Sequence, residues 1–273
     1  MPELPEVETV RSVLAPQLCG RTVVSVAVSR PDAVAYPSAA AFASAAAGRT
    51  IRELGRRGKF LRILLDSGCI VAHLRMTGRL LVTPQGEPLE KHTHVVVSLD
   101  NRTELRFIDP RRFGRLWWIA EAEEDRYSGV ERLGPEPFDA AVNAAALAKR
   151  FGASRRAVKT CLLDQSAVAG IGNIYSDEIL FAAGIDPRRP AAALRRDEWE
   201  KLSAEIPRVL QKAIDDNEIT ADEYLAGRGM EYRNTPFFQV YGRAGEPCPR
   251  CGLPLEKTVI AGRSSCFCPR CQQ

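Results

Sequence analysis

Alternating apolar and polar positions dominate the first 120 residues and predict mostly short strands. Residues 2–16 are the exception, because their apolar side chains recur at helical spacing up to Pro16. Residues 38–47 are rich in Ala and predict a second helix that ends at Gly48. Many short runs separated by turn residues are typical of an antiparallel sandwich or barrel. The predicted strands are residues 22–28, 60–65, 69–74, 79–82, 94–99, 103–108 and 115–119.

The pattern becomes helical after Gly134, with a turn at residues 165–172 and Asn173 as the expected N-cap of the helix that follows. We therefore expect an α+β protein in three parts. These are an N-terminal β-sandwich with flanking helices, a helical domain and a small cysteine-rich hairpin module. The predicted helices are residues 139–151, 154–164, 173–183 and 197–216, and the predicted domains are residues 1–133, 134–227 and 239–273.

Five of the eight cysteines fall within the last 26 residues, where Cys-Pro-Arg-Cys occurs twice. The pairs Cys248/Cys251 and Cys268/Cys271 are sixteen residues apart, which matches four-cysteine zinc spacing. Cys266 offers an alternative partner for Cys271, but the repeated knuckle favours Cys268. We expect one structural Zn²⁺, because so short a ribbon has no core of its own.

Charge and composition favour an intracellular protein with an acidic partner. The chain has 273 residues, is 45% hydrophobic and carries a net charge of +4. No apolar run approaches the roughly 18 residues of a membrane span, and the N-terminus is too acidic for a signal peptide. Basic clusters at residues 52–62, 102–115 and 228–271 suggest one face for a polyanion, although solvated surface charge explains any single cluster equally well.

The N-terminus carries candidate chemistry. Pro2 follows Met1 directly, so removal of Met1 would leave a secondary amine as the first group of the chain. A free α-amino group titrates near about 7.7–8.0, and its neutral form can attack a sugar C1′ and form a Schiff base. Glu3 could act as the acid. Ordinary helix punctuation explains the same residues, since Pro and acids favour a first turn.

Six motifs occur in an order that closely resembles the bacterial formamidopyrimidine-DNA glycosylase family, over nearly the whole chain. The related endonuclease VIII family shares the architecture, but Leu4, Pro5 and Glu6 favour the formamidopyrimidine branch. The resemblance implies a β-sandwich, a helix–two-turn–helix domain and a zinc ribbon, with DNA in the cleft between the domains. The motifs are residues 1–10 (MPELPEVETV), 57–60 (RGKF), 73–78 (HLRMTG), 109–114 (DPRRFG), 170–175 (GIGNIY) and the terminal cysteine pairs.

The resemblance also assigns roles to single residues. It implies that Pro2 is the nucleophile, that Glu3 is a general acid/base, and that Lys59 and Arg263 contact phosphate and assist β- and δ-elimination. Met76, Arg111 and Phe113 would fill the space that a flipped nucleotide leaves in the duplex. Further implied DNA contacts are Glu6, His73, His92, Arg155, Asn173, Tyr241 and Lys257, and Arg156 and Lys159 would add positive charge near Ser154.

The match weakens at residues 217–241, where the Gly-Gly segment typical of the family is missing. The expected activity is a bifunctional DNA glycosylase and abasic-site lyase acting on oxidised purines in duplex DNA. An endonuclease VIII-like preference for oxidised pyrimidines is one alternative. A lesion-binding zinc-ribbon protein without catalysis is another. We further expect a monomer with no membrane contact, located in the bacterial cytoplasm at the nucleoid.

Overall fold

The computed structural model describes residues 2–121, 124–230 and 237–273. Contacts between residues divide the chain into two compact units. The first unit comprises Met1–Glu131 together with Asn217–Arg233, and the second comprises Arg132–Asp216 together with Asn234–Gln273. Each unit therefore contains two separate stretches of the sequence.

Two sheets form the body of the first unit. Its strands are β1 (Val23–Val28), β2 (Val34–Tyr36), β3 (Ile51–Arg57), β4 (Phe60–Leu65), β5 (Cys69–His73), β6 (Arg79–Pro84), β7 (Thr93–Leu99), β8 (Thr103–Ile108) and β9 (Arg115–Ile119). One sheet has the order β1-β7-β8-β6 and the other has the order β2-β9-β5-β4-β3. The β2–β9 pairing is parallel, and the other neighbours in these sheets are antiparallel.

Apolar side chains from both sheets meet in one core. Val95 and Phe107 from one sheet and Ile63 and Ala72 from the other belong to the same buried cluster. Helices α1 (Leu4–Leu18) and α2 (Ala39–Ala46) add apolar residues to this cluster. The predicted β-sandwich with flanking helices is therefore confirmed, because alternation along each strand sends one set of side chains into a shared interior.

Several elements of this unit differ from the sequence prediction. Helix α1 continues through Pro16 to Leu18, which is tolerable because a proline in the last turn removes a single helical hydrogen bond. Strand β3 was not predicted, since its sequence IRELGRR is largely charged. It lies at the edge of its sheet, where charged side chains are common because they discourage pairing with another chain.

Residues 217–230 pack on the first unit and contain the unpredicted helix α7 (Ala221–Ala226). The Tyr224 hydroxyl donates to the carbonyl of Leu80 in β6 (2.9 Å). The Arg79 guanidinium donates to the carbonyl of Arg228 (2.7 Å). The sequence prediction grouped residues 217–227 with the helical domain that precedes them, whereas these hydrogen bonds attach them to the N-terminal sheet.

Helices build most of the second unit. They are α3 (Ala144–Phe151), α4 (Val158–Leu162), α5 (Asn173–Ala183) and α6 (Arg196–Asp215), and the hairpin of β10 (Glu256–Ile260) and β11 (Arg263–Phe267) follows them. The Asn143 side chain accepts from the Ala146 amide at the start of α3, so this helix begins later than the sequence predicted. Within the described parts of the chain, no helix has the length and apolarity needed to cross a membrane.

A fully buried ion pair connects the helices to the ribbon. Lys159 Nζ lies 2.7 Å from Asp177 Oδ1, and neither side chain is exposed. The ammonium also donates to the carbonyl of Ser264 in β11 (3.0 Å). The carboxylate accepts from the Ser265 hydroxyl (2.5 Å) and from the Cys266 amide (3.0 Å). The expectation that Lys159 adds positive charge near Ser154 is wrong, because its buried ammonium binds Asp177 and the carbonyl of Ser264.

We predict that Lys159→Met destabilises the zinc-loaded protein by about 3–5 kcal/mol, because it leaves the Asp177 carboxylate buried without its counter-charge. Burial already raises the pKa of Asp177, and Lys159 opposes that effect. The measurement is the free energy of unfolding in urea, followed by circular dichroism. Lys201→Met is the matched control, since Lys201 is 63% exposed and pairs weakly with Asp197; its expected cost is below about 0.5 kcal/mol. Equal costs for the two variants would contradict the prediction.

Candidate active site and zinc centre

The N-terminal residues are organised by the start of helix α1. Glu3 occupies the N-cap position, and its amide donates to Glu6 Oε2 (2.8 Å) in a capping box. Both glutamates are buried, with 1% and 4% of their surface exposed. Pro2 therefore lies directly before the positive end of a helix whose start carries two buried carboxyl groups. Met1 lies outside the described residues.

Lys59 lies in the tight turn between β3 and β4. Gly58 has a φ of +53° there, which a residue with a side chain adopts only at a cost. The Arg56 guanidinium donates to Glu8 of α1 (2.8 Å) and to the carbonyl of Gly58 (3.0 Å). Arg56 thus ties this turn to helix α1, a role that the sequence analysis missed because the residue appeared only as part of a basic cluster.

Two adjacent loops carry the three residues expected to enter the duplex. Met76 and Phe113 are 38% and 51% exposed, which is unusual for side chains of this size. The guanidinium carbon of Arg111 lies 5.0 Å from the centre of the Phe113 ring. The Arg111 amide donates to the hydroxyl of Thr77 (3.2 Å), so the Met76 loop and the Arg111–Phe113 loop are in direct contact.

The two candidate histidines have different surroundings. His73, at the end of β5, is buried and accepts a hydrogen bond at Nδ1 from the Arg75 amide (3.0 Å). Burial, with smaller contributions from Arg75 and Lys59, lowers the pKa of His73 to about 3. The ring is therefore neutral and carries its proton on Nε2. His92 is half-buried and has a positive φ of 70°.

Four cysteine sulfurs in the ribbon lie within 4.8 Å of one another. The Sγ atoms of Cys248 and Cys271 are 3.9 Å apart, and those of Cys251 and Cys268 are 3.5 Å apart. Tetrahedral zinc with Zn–S bonds of about 2.3 Å needs sulfurs about 3.8 Å apart, so these residues fit one zinc ion. Cys266 lies outside the group, which confirms the choice of Cys268.

The candidate DNA contacts of the second unit are mostly exposed cations. Arg155, Lys257 and Arg263 are all exposed, and Arg263 begins β11 after the turn at Ala261 and Gly262. Ala261 and Gly262 both have positive φ values, 47° and 76°. This tight turn fixes the direction in which the chain enters β11.

Asn173 does not cap helix α5, and that prediction is wrong. Gly172 occupies the N-cap position, and Asn173 is the first helical residue. Its side-chain amide donates instead to the carbonyl of Ser264 in the ribbon (2.9 Å). The spacing of polar residues at a helix start cannot distinguish a cap from a residue that bonds to another element.

Glu178 organises the segment that contains Tyr241. Its buried carboxylate accepts from the amides of Gln239, Val240 and Tyr241 at 2.8–2.9 Å. Burial raises the pKa of Glu178, and these amides oppose the effect. Sequence reasoning missed this role, because nothing in the pattern around Glu178 distinguishes a buried acid from an exposed one. Residues 231–236 of the atypical loop lie outside the described residues.

Family models cover most of the chain. The formamidopyrimidine-DNA glycosylase N-terminal domain matches residues 1–116, and the H2TH domain of the same enzymes matches residues 133–224. A zinc finger found in FPG and IleRS matches residues 245–273. The three matches occur in the order that the motifs predicted.

Bacterial relatives are similar over most or all of their length. A formamidopyrimidine-DNA glycosylase of Moorella thermoacetica is 51% identical over 258 residues, which is 94% of each chain. One from Geobacillus kaustophilus is 47% identical over 274 residues and is covered completely, as is this chain.

Solved structures share the fold. Lactococcus lactis Fpg in complex with DNA containing an abasic site has a TM-score of 0.90 and 32% identity, with both chains covered completely. The same protein with DNA containing FAPY-dG has a TM-score of 0.90 and 34% identity, covering 99% of this chain and 100% of that one. Identity of this extent over the whole chain goes beyond a shared architecture, and the protein belongs to the formamidopyrimidine-DNA glycosylase family of DNA-repair enzymes.

Proposed function

We propose that this protein is a bifunctional DNA glycosylase and abasic-site lyase that removes oxidised purines, such as formamidopyrimidine and 8-oxoguanine, from duplex DNA. The observation that carries the proposal is the N-terminus of α1, where Pro2 directly precedes the helix and the carboxyl groups of Glu3 and Glu6 at the helix start are buried. A secondary amine next to buried acids combines a nucleophile with a proton donor.

The reaction begins once removal of Met1 exposes the Pro2 amine. The amine nitrogen attacks C1′ of the damaged nucleotide, and the bond from C1′ to the base breaks. The departing base keeps the electron pair and takes up the proton that the Pro2 nitrogen loses after the attack. Glu3 then protonates O4′ of the sugar, so that the ring opens and leaves an iminium between Pro2 and C1′. The iminium acidifies C2′ for the next step.

Strand cleavage follows from the iminium as two eliminations. Loss of a C2′ proton expels the 3′ phosphate, and a second elimination expels the 5′ phosphate, after which water releases the sugar remnant from Pro2. Both leaving groups are phosphates, so cations beside them assist. Lys59 on the β3–β4 turn and Arg263 at the start of β11 are assigned this role, since guanidinium and ammonium groups stabilise charge on phosphate.

Access to C1′ requires the nucleotide to leave the base stack. Met76 and Phe113 are large exposed apolar groups suited to wedging between bases, and Arg111 carries donors for the orphaned partner base. Phosphate contacts by His73, His92, Arg155, Asn173, Tyr241 and Lys257 would hold the bent duplex. Zinc, when bound to its four cysteines, has no open coordination position and serves to fix the hairpin that carries Arg263.

The lesion class is open to one specific alternative. The Lactococcus lactis relative is found in complex both with FAPY-dG DNA and with DNA containing an oxidised pyrimidine. Because this chain lacks the usual Gly-Gly segment near residues 217–241, a preference for oxidised pyrimidines is the second candidate. Comparing 8-oxoguanine, formamidopyrimidine and 5-hydroxycytosine duplexes under single-turnover conditions distinguishes the two. We further propose that the enzyme acts as a monomer at the bacterial nucleoid.

We predict that borohydride traps a covalent complex between the Pro2-terminated enzyme and a lesion or abasic duplex. A matched control is the same chain carrying a removable N-terminal extension, which converts the Pro2 amine into an amide and should abolish trapping until the extension is cleaved off. Denaturing gels measure the adduct. Failure to trap any lesion, with duplex binding retained, would instead support a lesion-binding protein without catalysis.

We predict that Arg263→Ala weakens binding to an abasic duplex by about 10- to 100-fold and slows strand cleavage, because a charged hydrogen bond to phosphate contributes about 1.5–3 kcal/mol. Zinc should remain bound at one ion per chain, measured by metal analysis. Arg270→Ala is the control, since Arg270 is exposed and lies between two zinc ligands. Zinc loss from Arg263→Ala, or an equal DNA-binding defect in both variants, would contradict this role.

We predict that His73 makes the protein acid-sensitive without switching DNA binding near neutral pH. The pKa of His73 falls from 6.5 to about 3 in the folded state, so the unfolded chain alone binds this proton between these values. The stabilisation is complete above about pH 6.5 and decreases by about 1.4 kcal/mol per unit as pH falls. Urea unfolding at about pH 7 and about pH 5 should show this loss in the natural protein but not in His73→Asn, and identical losses would refute the assignment.

A further inference from the structure

We propose that Asp109 and Thr77 form a clamp that sets the spacing of Met76 from Arg111 and Phe113, and that this clamp governs displacement of the damaged base. The inference rests on the proposed function of those three residues. Asp109 and Thr77 act here as positioning residues, because they hold the two loops together and need not touch DNA. The pair is called the Thr77–Asp109 clamp below.

The Asp109 carboxylate joins the two loops directly. Asp109 follows β8 and is completely buried. Its Oδ1 accepts from the Thr77 hydroxyl (2.5 Å) and from the Arg111 amide (3.2 Å). Its Oδ2 accepts from the Gly114 amide (2.7 Å). One carboxylate therefore holds the residue after Met76 and both ends of the Arg111–Phe113 segment.

The backbone of Asp109 is fixed from the sheet side. Its amide donates to the carbonyl of His92 (3.1 Å), and its carbonyl oxygen bonds to His94 Nε2 (2.8 Å). The same carbonyl accepts from the Arg112 amide (3.2 Å). β7 and β8 are neighbours in one sheet. The position of Asp109 is therefore set by these rigid strands rather than by the two loops that its carboxylate joins.

Two glycines allow the loops to approach the clamp closely. A Cβ on Gly114 would lie 2.7 Å from the Phe107 ring and 3.1 Å from Asp109 Oδ2. A Cβ on Gly78 would lie 2.5 Å from the carbonyl oxygen of Leu74, which accepts the Gly78 amide. A side chain at either position would force a neighbouring group to move, so glycine lets both loops pack closely around the carboxylate.

Base displacement is the step that depends on this spacing. A wedge that enters a base stack must present Met76 and Phe113 at a fixed separation, because the space left by one nucleotide is limited. A buried carboxylate with one donor removed must recruit another or accept water. Loss of the Thr77 hydroxyl would therefore release the Met76 loop while Asp109 keeps the Arg111 and Gly114 amides.

The test compares three variants on two substrates. Thr77→Val removes the hydroxyl and keeps the branched shape, and Thr77→Ser restores the hydroxyl. Thr22→Val is the control, because it removes a hydroxyl that bonds to Thr50 in the same unit. The substrates are an 8-oxoguanine·cytosine duplex and a single strand with an abasic site, which has no stacked partner base to displace. If the natural enzyme prefers another lesion, that lesion replaces 8-oxoguanine.

We expect Thr77→Val to slow base release from the duplex by about tenfold, the effect of losing a hydrogen bond to a charged group, and to change single-strand cleavage by less than about twofold. A fluorescent base opposite the lesion should report slower unstacking at the same time. Thr77→Ser and Thr22→Val should match the natural enzyme.

Other outcomes separate the two levels of inference. An inactive natural enzyme on every lesion and on the abasic strand would refute the proposed function. Full duplex activity of Thr77→Val would refute the clamp alone. Equal loss on both substrates would also refute it, because general destabilisation affects base release and strand cleavage alike.

Discussion

A buried carboxylate must be satisfied by several donors, and the elements that present the candidate site residues are fixed by such groups. Asp109 in the first unit binds two loops, and Asp177 in the second binds Lys159 and strand β11. Glu178 gathers three consecutive amides near Tyr241. Each carboxylate converts a flexible connection into one defined geometry, since an alternative arrangement would leave a charge in the interior without partners.

Sequence patterns predicted the features that depend on residues close together in the chain. The cysteine pairs identified the zinc ligands, because two short knuckles can supply a tetrahedral site with few other arrangements. Alternation predicted most strands of the sandwich. The burial of Lys159 could not be predicted this way, since its partner Asp177 is remote in sequence and a lysine is ordinarily exposed. Strand β3 was missed for a related reason, because its pairing with β4, rather than its own composition, makes it a strand.

The N-terminus shows why two explanations of one motif need not compete. Glu3 and Glu6 form a capping box, so helix punctuation accounts fully for their spacing. Both carboxyl groups of this box are also buried, directly after Pro2 in the chain. The start of helix α1 thus holds Pro2 in a defined position, whereas a chain terminus is ordinarily poorly ordered. The family resemblance, rather than the spacing, was needed to assign chemistry to this arrangement.

The atypical segment after α6 is anchored to the first sheet through Arg79. Arg79, the first residue of β6, donates to the carbonyl of Arg228 and pairs with Glu90 (2.7 Å each). The Met76 loop ends immediately before this strand, at Gly78. The chain that leads to residues 231–236 and the loop that carries Met76 therefore start from the same end of one strand. Because Arg79 anchors this segment through the carbonyl of Arg228, the sequence after Arg228 can differ without displacing the start of β6.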